Sequence, residues 1–105
     1  MPAVADVVRH EALRIDTTRP TTLVDITDAL SDAVQRTRLS EGFVMVQTRH
    51  TTTGLLVNEH EPLLRASECI AVTGGVLGLG RWQRVFFVDF DGGQRRTLSL
   101  TFVGT

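Results

Sequence analysis

The sequence contains no lysine, no tyrosine and only one cysteine. Because all 11 basic residues are arginine, any mechanism that forms a Schiff base on a lysine amine is excluded. The lone Cys69 cannot form a disulfide within the chain, which favours a reducing cytoplasm, and its apolar neighbours predict a small buried strand residue. No apolar run approaches a membrane span, and the N-terminus lacks the apolar core of a signal peptide.

The remaining composition is typical of an ordinary globular protein. A chain of 105 residues, with 42% hydrophobic and 22% charged residues, predicts one domain over 1–105 with a single core. A net charge of -1 excludes a general polyanion-binding surface, so we expect no nucleic-acid partner and no membrane partner.

Hydrophobic periodicity predicts an α+β fold with a mainly antiparallel sheet. Apolar spacing over residues 27–37 predicts a helix with Thr27 as its N-cap. The Asp-Gly-Gly sequence at 91–93 predicts a hairpin between the last two strands, and the glycines of 74–80 indicate a tight strand connection in preference to a phosphate loop. Strands are predicted at residues 6–16, 43–48, 53–57, 68–73, 81–90 and 95–103.

The most distinctive polar cluster lies between two apolar strand segments. His50 could serve as a general base, a metal ligand or a phosphate partner. Thr51, Thr52 and Asn58 add hydroxyl and amide groups close to it, and Glu59 could add a carboxylate ligand. The three histidines of the chain do not have the short spacing of a closed structural zinc site.

A second set of polar residues lies towards the end of the chain. Gln83 begins a strand after the glycine-rich segment, where a carboxamide can point into a cleft. Asp89 could pair with Arg95 or Arg96 across the predicted hairpin. Alternatively, one of these arginines could bind a phosphate or carboxylate bidentately, and both interpretations remain open.

Taken together, these motifs resemble the YjbQ family, also called UPF0047 or the secondary thiamine-phosphate synthase family. The matching segments are 47–59, with its His-Thr-Thr and Asn-Glu signatures, 75–83, with Gly-x-Trp-Gln, and 89–96. The resemblance implies a YjbQ-like α+β half-barrel of mixed, mainly antiparallel sheet with one or more helices. It also implies a homotrimer with polar clefts between subunits.

The resemblance also implies roles for individual residues and two functions. His50 and Glu59 would be catalytic and could hold a divalent metal ion. The activity would be a weak thiamine-phosphate synthase reaction, a transferase step that condenses a pyrimidine-methyl diphosphate with a thiazole phosphate. The alternatives are a non-catalytic trimeric module that binds a small phosphate- or carboxylate-bearing ligand between subunits, or a polar cluster that only specifies the trimer. The substrate-binding positions would be Thr51, Thr52, Asn58, Gln83, Asp89, Arg95 and Arg96.

The sequence departs from the family pattern after Pro62. The family continues for a few dozen residues that include two further site histidines, whereas here residues 63–67 lead directly into the next strand. Either the chain has lost this segment, or the sequence omits a loop of the natural protein. An intact mass near 11.6 kDa would support the first explanation, and a mass several kDa higher would support the second.

Overall fold

A computed structural model describes residues 7–18, 21–58 and 64–105. Glu59, one of the two predicted catalytic residues, lies outside the described residues, as does Pro62.

Eight strands and one helix occur among the described residues. The helix has the predicted bounds, whereas strands β2 and β6 were not predicted. No helix in the described part of the chain has the length and apolar character needed to cross a membrane. In chain order the elements are β1 Val7–Asp16, β2 Thr22–Asp25, α1 Thr27–Thr37, β3 Glu41–Gln47, β4 Thr53–Asn58, β5 Ser67–Thr73, β6 Val76–Leu77, β7 Arg84–Asp89 and β8 Arg95–Gly104.

The strands form two antiparallel sheets around one core. Sheet A has the order β1-β8-β3-β5-β6, and sheet B has the order β2-β7-β4. One face of each sheet and the apolar side of α1 contribute to a single hydrophobic cluster. This arrangement confirms the predicted α+β half-barrel with a helix. The largest fully buried side chains include Ile26, Leu30, Leu55, Phe87, Leu98 and Phe102.

The predicted hairpin at residues 91–93 is wrong. Strand β7 pairs with β2 and β4, whereas β8 pairs with β1 and β3, so the two strands lie in different sheets. The glycines still allow the chain to turn, since Gly93 has φ +80°. Turn chemistry determines the backbone at the turn, but it does not determine which strands pair on either side of it.

The predicted N-cap role of Thr27 is also wrong. Ile26 occupies the N-cap position, and its own side chain makes no capping hydrogen bond. The hydroxyl of Thr27 instead accepts a hydrogen bond of 2.8 Å from the backbone N–H of Val85, which ties α1 to β7. The N–H of Thr27 donates to the carboxylate of Asp25, 3.0 Å away. Thr27 therefore joins two elements instead of ending one.

An ion pair at the start of β7 supports the same junction. The Nε of Arg84 donates to the carboxylate of Asp25 at 2.8 Å. Burial raises the pKa of Asp25, but hydrogen bonds from Arg84 and Thr27 outweigh it and leave this pKa below its usual value. Because both partners are partly exposed, we expect the pair to add little to stability.

The glycine-rich segment begins as a tight strand connection, as predicted. Gly74 and Gly75 form the two-residue loop between β5 and β6, in which Thr73 is paired with Val76. Their φ angles of +59° and +77° are both positive, as a type I′ turn requires. Residues with a side chain rarely adopt these angles, which explains the two glycines at this point.

Cys69 lies on the exposed side of β5, so the prediction that it is buried is wrong. Its neighbours Ile70 and Val72 alternate with it, and both are buried. The apolar run around Cys69 concealed this alternation, because the residues on the exposed side of the strand are also uncharged.

Two glycines face each other at one end of the pairing between β3 and β8. Gly42 and Gly104 are register partners and have φ angles of +152° and +151°. A Cβ atom on Gly42 would overlap the carbonyl oxygen of Val103, and one on Gly104 would overlap that of Glu41. The pairing of these strands therefore depends on the absence of side chains at both positions.

Candidate functional site

A buried ion pair joins the two sheets beside the predicted site. Asp89, the last residue of β7, is 0% exposed, and Arg96 of β8 is 7% exposed. The Nε of Arg96 donates to Oδ2 of Asp89 at 2.8 Å, and its Nη2 donates to Oδ1 at 3.1 Å. The pairing of Asp89 with an arginine therefore exists, but it links different sheets instead of two strands of a hairpin.

The carboxylate of Asp89 has four hydrogen-bond donors in all. The hydroxyl of Thr17 donates to Oδ2 at 2.9 Å, and the backbone N–H of Asp91 donates to Oδ1 at 3.0 Å. The hydrogen bonds from Arg96 lower the pKa of Asp89 below its usual value, and burial opposes them less strongly. Asp89 is thus an ionised, fully paired structural carboxylate.

The guanidinium of Arg96 is also occupied by the protein. Arg96 makes further contacts besides its two hydrogen bonds to Asp89. The Nη2 atom donates to the carbonyl oxygen of Asp91 at 2.8 Å and lies 3.5 Å from the hydroxyl of Thr52. Its Nη1 lies 3.5 Å from Nδ1 of His50. Arg96 therefore supports the surrounding loops and does not present a free fork of donors to a ligand.

Both ring nitrogens of His50 face hydrogen-bond donors. The backbone N–H of Thr97 donates to Nε2 at 3.2 Å, while Nδ1 faces the guanidinium of Arg96. An Nε2 atom that accepts this hydrogen bond carries no proton, and Nδ1 lies beside a guanidinium that can only donate. His50 therefore fastens its loop to the start of β8, and its Nε2 lone pair is already used.

Threonine hydroxyls hold the loop that carries His50. The hydroxyls of Thr48 and Thr53 are 2.7 Å apart, and that of Thr53 donates to the carbonyl oxygen of His50 at 2.8 Å. The carbonyl oxygen of Thr52 accepts from the N–H of Phe90, 2.9 Å away. Thr48 and Thr53 were not predicted as site residues, although their positions at the ends of β3 and β4 could have indicated this role.

The outer surface of this loop is polar and accessible. Arg49, Thr51 and Thr52 are exposed. Within the described part of the chain, Arg49 makes no hydrogen bond or ion pair. Arg95 at the start of β8 is also exposed and forms a solvated ion pair of 3.3 Å with Asp16. We call the surface formed by Arg49, Thr51, Thr52 and Arg95 the loop surface.

Two predicted site positions lie far from this loop. In the register of β4 with β7, Thr53 is opposite Asp89, whereas Asn58 is opposite Arg84 at the other end. Five steps along a strand span about 17 Å, so Asn58 is remote from His50 within one chain. The structure therefore separates the predicted set into two groups at opposite ends of sheet B.

Gln83 belongs to the remote group and stabilises its own loop. The side-chain Oε1 of Gln83 accepts a hydrogen bond of 2.6 Å from the backbone N–H of Gly80. The backbone N–H of Gln83 donates to the carbonyl oxygen of Gly80 at 3.0 Å. Trp82 in the same turn is 72% exposed, with the guanidinium of Arg81 5.0 Å from its ring centre. Gln83 thus shapes the turn that presents Trp82.

The contacts of His50 do not suit a metal ion. A metal would have to displace the N–H of Thr97 from Nε2 or approach Nδ1 beside the positive guanidinium of Arg96. Over residues 7–18, 21–58 and 64–105, no group of three or more histidine, cysteine, aspartate and glutamate side chains could hold one. Glu59, the other predicted ligand, lies outside these residues.

Comparisons with known proteins give one consistent family. A family model described as "UPF0047 protein YjbQ-like" matches residues 11–66 and 61–105. A UPF0047 protein of Methanothermobacter thermautotrophicus is 24% identical over 133 residues, covering 92% of this chain and 93% of its own length. The UPF0047 protein YugU of Bacillus subtilis is 26% identical over 130 residues, covering 90% and 98%.

Solved structures show the same fold. A YbjQ-like protein of unknown function from Sulfolobus solfataricus P2 superimposes with a TM-score of 0.88 at 22% identity, covering 96% of this chain and 100% of its own. A hypothetical protein from Aeropyrum pernix K1 gives a TM-score of 0.85 at 25% identity, covering 92% and 99%. These likenesses support the half-barrel and do not by themselves assign an activity.

The comparisons also locate the departure from the family pattern. The alignments with the two relatives extend over 133 and 130 positions, more than the 105 residues of this chain, so they contain gaps. The family model matches in two segments that meet at residues 61–66. The sequence departs from the family pattern at this same point, after Pro62.

Proposed function

The chain belongs to the UPF0047 protein YjbQ-like family, and from this premise we propose that it binds a small phosphate- or carboxylate-bearing molecule at the loop surface. The ligand would lie against the exposed side of the His50 loop and the start of β8. In this proposal the chain is a binding module, and His50 is a positioning residue.

The observation that carries the proposal is the difference in burial between Arg96 and the other two arginines of this region, Arg49 and Arg95. Arg96 is buried and neutralised by Asp89, and it holds the loop in place. Arg49 is exposed in the same loop as Thr51 and Thr52, and Arg95 is exposed at the start of β8, where its ion pair with Asp16 lies in solvent. Exposed guanidinium groups beside hydroxyl donors, on a loop fixed from below, suit the recognition of an anionic oxygen group.

Thiamine-phosphate synthase activity is the second candidate, because the same donors could hold the phosphate groups of both reactants. The contacts of His50 favour binding over catalysis. To act as a base, His50 would have to release the N–H of Thr97 from Nε2, which would leave that donor unpaired.

We further propose that the ligand surface operates in a homotrimer, the assembly that the family resemblance implies. The separation of the two polar groups along sheet B supports this assembly, since another copy could bring a second polar group near the loop surface. The mass of the native assembly tests this part.

Titration calorimetry with inorganic phosphate and with pyrophosphate tests the binding proposal. We expect Arg49→Gln and Arg95→Gln each to weaken binding on the order of tenfold, because each removes a charged donor. Arg38→Gln is the matched control, since Arg38 is exposed and is the C-cap residue of α1, outside the loop that carries His50. Absence of binding by the parent, or equal losses in the control, would contradict the proposal.

A His50→Ala variant separates the binding module from the transferase. If the parent condenses the two phosphate-bearing reactants, and the variant binds phosphate normally but does not turn over, the transferase is correct. If the parent shows no turnover and the variant loses phosphate binding, the module is correct, because the loop has lost its attachment to β8.

A further inference from the structure

The outer side of sheet B, which faces away from the core, carries apolar side chains that are open to solvent. In the register, Val88 of β7 lies between Leu23 of β2 and Gly54 of β4. A Cβ atom on Gly54 would lie 3.0 Å from the Cβ atom of Leu64, so Leu64 covers this glycine. Leu23 is 60% exposed and Leu64 is 41% exposed, whereas Val88 between them is 7% exposed. The two leucines therefore flank a shallow apolar furrow.

The furrow continues in both directions along β7. Phe86 is the preceding residue on the outer side, and its register partner on β4 is Leu56. In the other direction the alternation of β7 continues to Phe90, which is 53% exposed. Phe86 and Phe90 are separated by about 13 Å along the strand. We call the surface formed by Leu23, Leu56, Leu64, Phe86, Val88 and Phe90 the apolar strip.

The apolar strip meets the loop surface at Phe90. The backbone N–H of Phe90 donates to the carbonyl oxygen of Thr52 at 2.9 Å. Thr52 lies in the same loop as Arg49, an exposed arginine without a hydrogen bond or ion pair in the described part of the chain. The carboxylate of Asp91, which follows Phe90, accepts a hydrogen bond of 3.1 Å from the side chain of Gln94. This end of the strip therefore adjoins a guanidinium group that is open to an anion.

The far end of the apolar strip is less suited to an anion. Arg84 begins β7 at this end and pairs with Asp25 at 2.8 Å and with Asp28 at 3.3 Å. Arg81 in the preceding turn lies over the ring of Trp82, 5.0 Å from its centre. Charge complementarity therefore orients a ligand in one direction, with its anionic group at the loop surface and its apolar part over sheet B.

We propose that the ligand of the loop surface is amphiphilic: a dissolved single-chain organic phosphate or carboxylate whose apolar chain lies along the apolar strip. This inference rests on the proposed function and names the class of its ligand. The size of the strip favours such a molecule over a second copy of the chain. Three strands and five residues cover about 240 Å² in plan. Each partner in a standard protein interface buries about 800 Å².

The first test is a series of ligands that differ only in chain length. Titration calorimetry of the parent compares inorganic phosphate with ethyl, butyl and octyl phosphate, each below the concentration at which it forms micelles. We expect the affinity to rise about fourfold for every two methylene groups, because a chain on an open surface buries about half of its area.

The outcomes of this series separate the two proposals. Equal affinities for inorganic phosphate and octyl phosphate would overturn the inference and leave the proposed function standing. Absence of binding by every ligand in the series would overturn both. Binding to vesicles of anionic phospholipid without this dependence on chain length would also overturn the inference, because the occupant would then be a membrane surface.

The second test is the substitution Leu23→Ser. We expect it to lower the ratio of octyl phosphate affinity to inorganic phosphate affinity about fivefold, because it removes an apolar wall of the strip. Val76→Ser is the matched control, since Val76 is 65% exposed on β6 of sheet A, and it should keep the ratio of the parent. Arg49→Gln should weaken the binding of both ligands to a similar degree.

Equal ratios in the parent and Leu23→Ser would contradict the proposal. A lower molar mass of Leu23→Ser by light scattering would contradict it as well, because another copy would then cover the strip. The chain-length series needs no variant, so it decides the matter even where Leu23→Ser fails to fold.

Discussion

At the scale of single residues, the Asp89–Arg96 pair is the structural centre of the predicted site. Each oxygen of Asp89 accepts two hydrogen bonds, and the buried side-chain polar atoms of the described residues all have partners. A buried ion pair with complete hydrogen bonding has offset its desolvation cost, but removing one partner leaves the other charged and buried. The pair therefore connects the sheets only as a unit.

Replacing Asp89 with asparagine should destabilise the protein strongly. We expect a loss of about 3–5 kcal/mol in the free energy of unfolding, because the guanidinium of Arg96 would remain buried without a counter-charge. Asp16→Asn provides the control, because Asp16 pairs with Arg95 in solvent. This substitution should lower the free energy of unfolding by less than about 1 kcal/mol. Urea denaturation followed by circular dichroism measures both values. Similar losses in the two variants would show that burial of the pair is unimportant.

The same pair should make stability depend on acid pH. The pKa of Asp89 is lower in the folded protein than in the unfolded chain, whose carboxyl has a pKa of about 3.9. The unfolded chain therefore binds the proton first as the pH falls below about 5, and stability is lost until the pH passes below the folded pKa. The difference in unfolding free energy between the parent and Asp89→Asn should shrink over this range. A constant difference from pH 7 to pH 3 would contradict this assignment.

The residues of the site were more predictable than their contacts. A histidine beside hydroxyls and an aspartate followed by two arginines are visible in the sequence, and they lie at one end of the molecule. Thr17 carries no local signal, because it meets Asp89 across 72 residues of chain. Only the folded structure shows that Arg96 is buried and paired with Asp89, whereas Arg95 is exposed to solvent.

At the scale of elements, the contact between β3 and β8 depends on Gly42 and Gly104. Both have φ angles that only glycine adopts readily in an extended strand. Each faces a backbone carbonyl oxygen at the position a Cβ atom would take, and a backbone atom cannot move aside as the end of a side chain can. The central pairing of sheet A is therefore sensitive to the smallest substitution.

Gly42→Ala should lower the free energy of unfolding by about 4 kcal/mol or more, since the strain of φ +152° is added to an overlap with the backbone. Gly93→Ala is the control, because Gly93 also has positive φ but has no atom within 4 Å of an added Cβ. It should cost only about 1–2 kcal/mol of backbone strain. Thermal unfolding of both variants measures the difference, and comparable midpoints would mean that β3 and β8 can move apart without loss.

The elements themselves were largely predictable, but their pairing was not. Apolar spacing placed α1 at residues 27–37, because one side of a helix facing a core repeats every three to four residues. Strand β2 was missed because its four residues are too few to show alternation, and it is held by pairing with β7. Contacts between residues distant in sequence determine that β7 belongs to sheet B and β8 to sheet A. A local turn sequence contains no information about these contacts.

At the scale of the whole molecule, the two sheets share one hydrophobic cluster with α1. The Asp89–Arg96 pair and the hydroxyl of Thr27 add polar connections between elements of this cluster. Neither sheet has a separate core among the described residues, so neither can lose its packing without exposing the other.

The chain should therefore unfold in a single transition. Scanning calorimetry should give one peak, because one core implies one cooperative unit. This measurement also tests the prediction of a single domain over 1–105. If copies associate as proposed, the midpoint of this peak should rise with protein concentration. Two resolved peaks would indicate sheets that unfold separately.

The position of β1 has a consequence for how the protein folds during its synthesis. Among the described residues, β8 is the only strand that pairs with β1, and Asp16 is separated from Arg95 by 79 residues of chain. At the usual rate of translation, a ribosome needs on the order of ten seconds to add that length. Throughout this interval β1 lacks its described pairing strand, so the first of the described strands completes its sheet last. An unpaired strand edge of this kind is where newly made chains are at greatest risk of aggregation.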